Sequence, residues 1–302
     1  MGVRWSVYIH TFCTLLLACF SVPRLLPLDH ANSTRGVFTK LETMHIRSTL
    51  LGFALLISST FQAHSAGLTV YDALILLNLN WIIILGALLP VRILLIRRIL
   101  LTRTDGIPLF FQGRIPLTTC LLTFHLTATS AFGLWLFATI NTFDRTNNGC
   151  TQSTIYYMFG KHTPVMHLVF RLSSITIYSL FLLPVVNIFF VHLVEVTAAV
   201  GVVCIVHTIM PVLVIVVVSF SYLEVRLPAR TLRIWAMVCS LMWYGCPLVT
   251  MIIWTEKAIT LNNADAGENA WSLGKSLALL LAAFAVVRTS QEVWMGVQRL
   301  QS

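Results

Sequence analysis

The chain has 302 residues, 57% hydrophobic and only 10% charged, against about 25% charged in soluble domains. With a mean hydropathy of +0.85, a soluble core could not hide so much apolar surface, whereas a bilayer takes the place of the core as apolar solvent. The net charge of +9 would suit nucleic acid, but the arginines stand between apolar runs rather than along one amphipathic face. The positive-inside bias of a membrane protein accounts for them, and nucleic acid is excluded as a partner.

Apolar runs of about 20 residues recur, as an α-helical crossing requires. The first covers Trp5 to Val22 between Arg4 and Arg24, and is read as a retained helix, with a cleaved signal peptide as the alternative. The second covers Met44 to Ala63, the third Val70 to Leu95, and the fourth Ile115 to Ile140. Pro164 to Tyr222 is too long for one crossing and reads as two helices with a break near His192–Glu195. The last two runs are Thr231 to Thr255 and Trp271 to Val287. The expected fold is all-α: one polytopic transmembrane bundle over residues 1–302 with eight spans, seven being the alternative.

Positive charge sets the orientation. Arg24, Arg35 and Lys40 after the first span, and Arg97, Arg98, Arg103 and Arg114 after the third, read as cytosolic. The segment Gln62 to Thr69 has no Lys or Arg and reads as lumenal, with the N-terminus. The sequon Asn32-Ser33-Thr34 is then cytosolic and unused. Arg226, Arg230 and Arg233 conflict with eight spans, which place them in the lumen; seven would return them to the cytosol. Length favours eight and charge favours seven.

Six cysteines lie inside spans as packing residues, and Cys150 in a lumenal loop has no evident partner. No metal-spaced His/Cys cluster exists. No Walker A, aspartate-rich prenyltransferase, DxDD, HExxH, GxSxG or histidine-box motif is present. No cofactor and no metal are expected.

Ionisable groups within a bilayer are costly and point to function by default. The candidates are Asp72, His125, Arg171, Glu195, His207 and Glu256. Each has a plainer reading. Asp72 and Glu256 can sit at the headgroups, Glu195 at a turn, Arg171 snorkelled to the interface, and both histidines as packing residues. Trp243 and Tyr244 lie mid-span beside Gly245 and Pro247, where a kink can open a cavity whose aromatic walls would favour a cation; interfacial aromatic belts are the default.

Several patterns in order resemble a known group. They are Val3-Arg4-Trp5-Ser6-Val7-Tyr8, Gly133-Leu134-Trp135-Leu136-Phe137, Cys150 followed by Tyr156-Tyr157-Met158-Phe159, and Glu256-Lys257-Ala258-Ile259-Thr260-Leu261-Asn262 before Gly274. This layout resembles a broad group of fungal multi-span membrane proteins, associated with the membrane-bound terpene cyclases of meroterpenoid pathways, of the ascofuranone and macrophorin type. Lys257 and Ala258, and the residues after Gly274, depart from the pattern.

The resemblance implies a metal-free cyclisation of a prenylated aromatic or quinone substrate. An acid protonates a terminal epoxide or alkene, and internal double bonds or a hydroxyl attack the cation. It implies Glu256 as the acid with Asn262 orienting it, Asp72 as second choice, and Trp243, Tyr244 and Trp135 as cation-stabilising faces. It also implies the endoplasmic reticulum membrane, with the bilayer, a prenylated small molecule and pathway enzymes as partners. Seven spans put Asp72, the Cys150 loop and Glu256 on one membrane face; eight move Glu256 to the other. A small-molecule transporter, a heptahelical receptor and a non-catalytic membrane protein are the competing readings.

Overall fold

The structure is a computed structural model. It describes residues 2–21, 31–65, 68–102, 117–143, 154–158, 160–183, 186–187 and 229–262. His192, Glu195, His207, the Cys150 loop and the run Trp271 to Val287 lie outside the described residues.

The elements in chain order are α1 (Gly2–Ser21), α2 (Ala31–Ser65), α3 (Val70–Thr102), α4 (Leu117–Phe143), β1 (Ile155–Met158), β2 (Lys161–Pro164), α5 (Leu168–Phe181) and α6 (Ala229–Leu261). Three stretches, Phe38–Ala63, Val70–Leu94 and Leu117–Phe143, are long and apolar enough to cross a membrane. α2 begins at Ala31 instead of near Met44, because the polar Lys40–Glu42 stretch continues the helix. α3 likewise runs on to Thr102, carrying Arg97 and Arg98.

Interhelical contacts fix the directions. Arg4 and Tyr8 of α1 meet Glu256 near the end of α6, and Leu15 of α1 lies against Gly245. Arg92 of α3 donates to the Tyr244 hydroxyl at 3.0 Å. His45 of α2 bonds the Thr118 carbonyl at the start of α4, while Gly52 further along α2 receives the His125 ring. Arg171 of α5 reaches the Phe137 carbonyl, and Tyr178 packs on Gly133. So α1, α3 and α5 lead away from the N-terminal end of the bundle, and α2, α4 and α6 return to it.

Eight spans would have put Glu256 opposite Asp72. The direction of α6 puts both at the N-terminal end, and starts α6, with Arg230 and Arg233, at the end where α3 finishes with Arg97 and Arg98.

α3 is the axis. It packs against α1, α2, α4 and α6, and Ile82, Ile83, Ile84, Leu79 and Leu89 are all fully buried. The outer surface is apolar: Ile57, Phe61, Phe124, Leu168 and Val169 are exposed. Much of the interior is polar, with His10, His45, Ser48, Asn80, His125 and Ser130 buried. This distribution suits lipid, in which an outward leucine costs nothing and an outward imidazole does.

The hairpin β1–β2 was not expected. Met158 pairs with Lys161 and Ile155 with Pro164 in an antiparallel ladder. Gly160 turns it at φ 77°, a conformation that glycine adopts without steric cost.

These directions predict sidedness. In sealed vesicles a membrane-impermeant maleimide should label Lys161→Cys and Lys257→Cys from one side and Glu42→Cys only from the other. Labelling of Lys257→Cys from the Glu42 side would overturn the direction of α6.

Candidate functional site

Four elements meet at the N-terminal end: α1, the start of α3, the hairpin and the last turns of α6. Glu256 stands there on α6, facing α1. The Tyr8 hydroxyl donates to its Oε1 at 2.9 Å, and Arg4 Nη1 lies 3.6 Å from the same oxygen. Arg4 and Tyr8 are one helical turn apart, which aligns them on one face. The Arg4 side chain is 7% exposed and Glu256 39%. A partly accessible carboxyl is thus held by a phenol donor and an almost buried guanidinium.

Asn262 does not orient Glu256 through any bond seen here. Its Oδ1 accepts from the Ile155 N–H at 2.9 Å. Its Nδ2 donates to the Ile155 carbonyl and to the Ala258 carbonyl, each at 2.7 Å. It clasps β1 to the end of α6. On the hairpin's other side the Tyr156 hydroxyl donates to Asn78 Oδ1 of α3 at 2.7 Å, and its ring leans on Phe170 of α5. Burial pushes the Tyr156 phenol up to about 12, partly offset by the Asn78 bond.

Asp72 caps α3. Its Oδ2 accepts from the Thr69 hydroxyl at 2.7 Å, and its N–H donates back to Thr69 Oγ1 at 3.0 Å. This reciprocal cap satisfies an otherwise orphaned helix donor. Asp72 and Glu256 share an end of the bundle, but Asp72 is engaged in a structural role.

The three aromatics expected as cation faces do not converge on Glu256. Trp243 is 47% exposed on the outer surface. Tyr244 is buried towards the far end, where it accepts from Arg92. Trp135 packs edge-on between Phe132 and Phe143 of its own helix. A different pair lines a cavity. Between α3 and α6 lies a space of about 510 Å³, walled by Trp81, Leu85, Cys246, Pro247, Thr250, Met251 and Trp254. Pro247 begins it, where the missing N–H frees a carbonyl one turn back. Trp81 is held by its Nε1–H to the Tyr178 hydroxyl at 3.1 Å. Trp254 is two residues from Glu256 on another face of α6.

Arg171 does not simply snorkel. Its Nε and Nη2 donate to the Phe137 and Ala138 carbonyls near the end of α4. Sequence reasoning missed Tyr8 and Arg4 as Glu256 partners; their i, i+4 spacing was the available signal. No group of three metal-ligating side chains occurs among the described residues.

No family model, no characterised protein and no solved structure matches the chain.

Two outcomes follow from the hairpin clasp. Asn262→Ala leaves both Ile155 backbone groups without their side-chain partner, worth about 1–3 kcal/mol per buried group, and limited proteolysis should cut the hairpin faster. The Tyr156 phenol is raised above its ordinary value of 10.0. Its contribution to hairpin docking should be complete below that value and fade as pH rises through about 12. The same proteolysis series, with Tyr156→Phe as the pH-insensitive control, checks it.

Proposed function

We propose that the chain is a membrane-bound terpene cyclase that starts its reaction by protonation, with Glu256 as the acid. The observation that carries this reading is the Tyr8–Glu256–Arg4 cluster. It is a partly accessible carboxyl with a phenol donor, on the helix whose opposite face walls the Trp81–Trp254 cavity. The bundle crosses the membrane seven times and resides in the endoplasmic reticulum.

The substrate is a prenylated phenol or quinone. Its apolar chain occupies the cavity, and its terminal epoxide or alkene reaches the end of α6 at Glu256. The carboxylic acid gives its proton to that terminus. The electron pair of the next double bond, or of a hydroxyl, closes the ring. The last cation loses a proton to the Glu256 carboxylate, which restores the acid and leaves product and substrate with equal mass. Trp81 and Trp254 present ring faces to the migrating positive charge. Tyr8 and Arg4 fix the rotamer of Glu256.

A transporter or heptahelical receptor-like reading draws on the same helix directions, since helices that alternate from α1 to α6 and bring Glu256 back to the N-terminal end suit those folds as well.

The test is turnover by microsomes containing this chain, with farnesylated phenols and quinones bearing a terminal alkene or epoxide. A product of unchanged mass and new retention time is expected. Glu256→Gln should lower its rate by about 10²–10⁴-fold, the range for a lost general acid, and Tyr8→Phe by less. A product unaffected by Glu256→Gln would displace the acid. No product from folded protein, with vectorial flux of a small molecule, would favour the transporter.

A further inference from the structure

The space between α3 and α6 has an interhelical tie at each end. Towards the far end Arg92 of α3 donates to the Tyr244 hydroxyl of α6 at 3.0 Å. Arg92 follows Leu85 by two turns, and Tyr244 precedes Pro247 by one. Towards the N-terminal end the Tyr156 hydroxyl donates to Asn78, one turn before Trp81, and Asn262 joins the same strand to α6. Trp81 stands 11 residues after Val70, and Leu85 nine before Leu94, in the apolar stretch Val70–Leu94. At 1.5 Å per residue the space begins about 16 Å from one end of that stretch and stops about 14 Å from the other. It therefore lies midway along the helix, far from both aqueous faces.

One direction stays open. On α6 the Cys246 side chain, which lines the space, is exposed. Met242, Val249 and Ile253 continue its stripe at helical spacing and are exposed as well. The mouth is thus on the outer, apolar surface of the bundle, the surface that meets acyl chains.

The walls are apolar in chemistry as well as in position. None of the residues lining the space is charged. The Trp81 Nε1–H is engaged by the Tyr178 hydroxyl at 3.1 Å, and Phe181 meets the Trp81 ring edge-on at 5.7 Å. The Thr250 hydroxyl donates to the Cys246 carbonyl of its own helix at 2.8 Å. A guest meets indole and alkyl surface, with no charged group to hold a phosphate or a carboxylate. The volume of about 510 Å³ is that of a small-molecule site, about 300–1,000 Å³.

We propose that this space is a lateral port: an isoprenoid chain dissolved in the bilayer enters it sideways between α3 and α6, and not from either aqueous face. The isoprenoid identity rests on the cyclase reading, whereas the route and the apolar nature of the guest rest on the walls and the ties at the two ends. A branched, unsaturated chain outcompetes a straight saturated one there. Its double bonds lie against the indole faces, and its methyl branches make more contacts across a space wider than one methylene chain.

The test is tryptophan fluorescence of the full chain in nanodiscs whose phosphatidylcholine carries bromine at mid-chain. The Trp254 signal is the difference between wild type and Trp254→Phe, and the Trp81 signal the difference from Trp81→Phe. Both should be quenched by the brominated chains and left unchanged by aqueous iodide. Added farnesol should relieve the quenching to a saturable limit, and hexadecanol should not. In Cys246→Phe, which narrows the exposed mouth, that relief should be lost. Quenching by iodide, no quenching by brominated chains, no relief by farnesol, equal relief by the two alcohols, or relief that survives Cys246→Phe overturns the proposal. Either tryptophan suffices if the other variant fails to fold. No step depends on turnover, so an inactive protein with an intact port removes the cyclase reading alone, and a port closed to lipid in a protein that turns over removes this inference alone.

Discussion

Within lipid, a helix gains nothing by turning a leucine towards its neighbour, because the acyl chains are as apolar as the leucine. What distinguishes one helix pairing from another is close packing and the hydrogen bonds between helices, at about 0.6 kcal/mol each on average. This constraint explains the inversion of the bundle. His10 with Ser48, His45 with Thr118, His125 with Asn80 and Tyr8 with Glu256 each join a different pair of helices. Phe61 and Phe124 face outward. Gly52 and Gly86 let α2 and α3 approach His125 and Thr11 where any Cβ would collide. α3 holds the central place because it supplies a polar or small residue towards most of its neighbours.

The ends are organised by different means. At the N-terminal end the closing element is a two-stranded hairpin bonded to α3 by Tyr156 and to α6 by Asn262. At the other end arginines dominate, and Arg92 reaches inward to Tyr244. Glu256 sits where the closed end meets the α1 helix, so access to it is set by α1 and the hairpin rather than by the cavity walls.

The helices were legible because length and hydropathy alone define them. The start of α3 at Val70 and the body of α4 follow directly from the apolar runs. Direction was harder. Length argued for two crossings between Pro164 and Tyr222, whereas Arg230 and Arg233 argued for the direction that α6 takes. The hairpin escaped notice because strands of four residues carry too little periodicity, although Tyr156-Tyr157 and the Gly160 turn were its traces. The site was half legible. Glu256 was singled out as an ionisable residue in the wrong solvent. Tyr8 lies 248 positions away in sequence, so the i, i+4 spacing of Arg4 and Tyr8 marks a shared helix face without naming Glu256 as its partner. Trp243 and Tyr244 were chosen for their proximity to Pro247, but the space extends from Pro247 towards Met251 and Trp254, and Trp243 lies one turn before it on the same stripe.

Asn262 and Tyr156 also set a mechanical relation. One ties the hairpin to the last residue positions of α6, the other ties it to α3, and the cavity lies between those same two helices. The hairpin therefore ties together the N-terminal-end portions of the two helices between which that space lies. A molecule that parts α3 from α6 at Trp81 and Trp254 therefore loads the Tyr156 and Asn262 bonds that hold the hairpin to both helices. Width at the tryptophans and attachment at Ile155 thus behave as one coordinate.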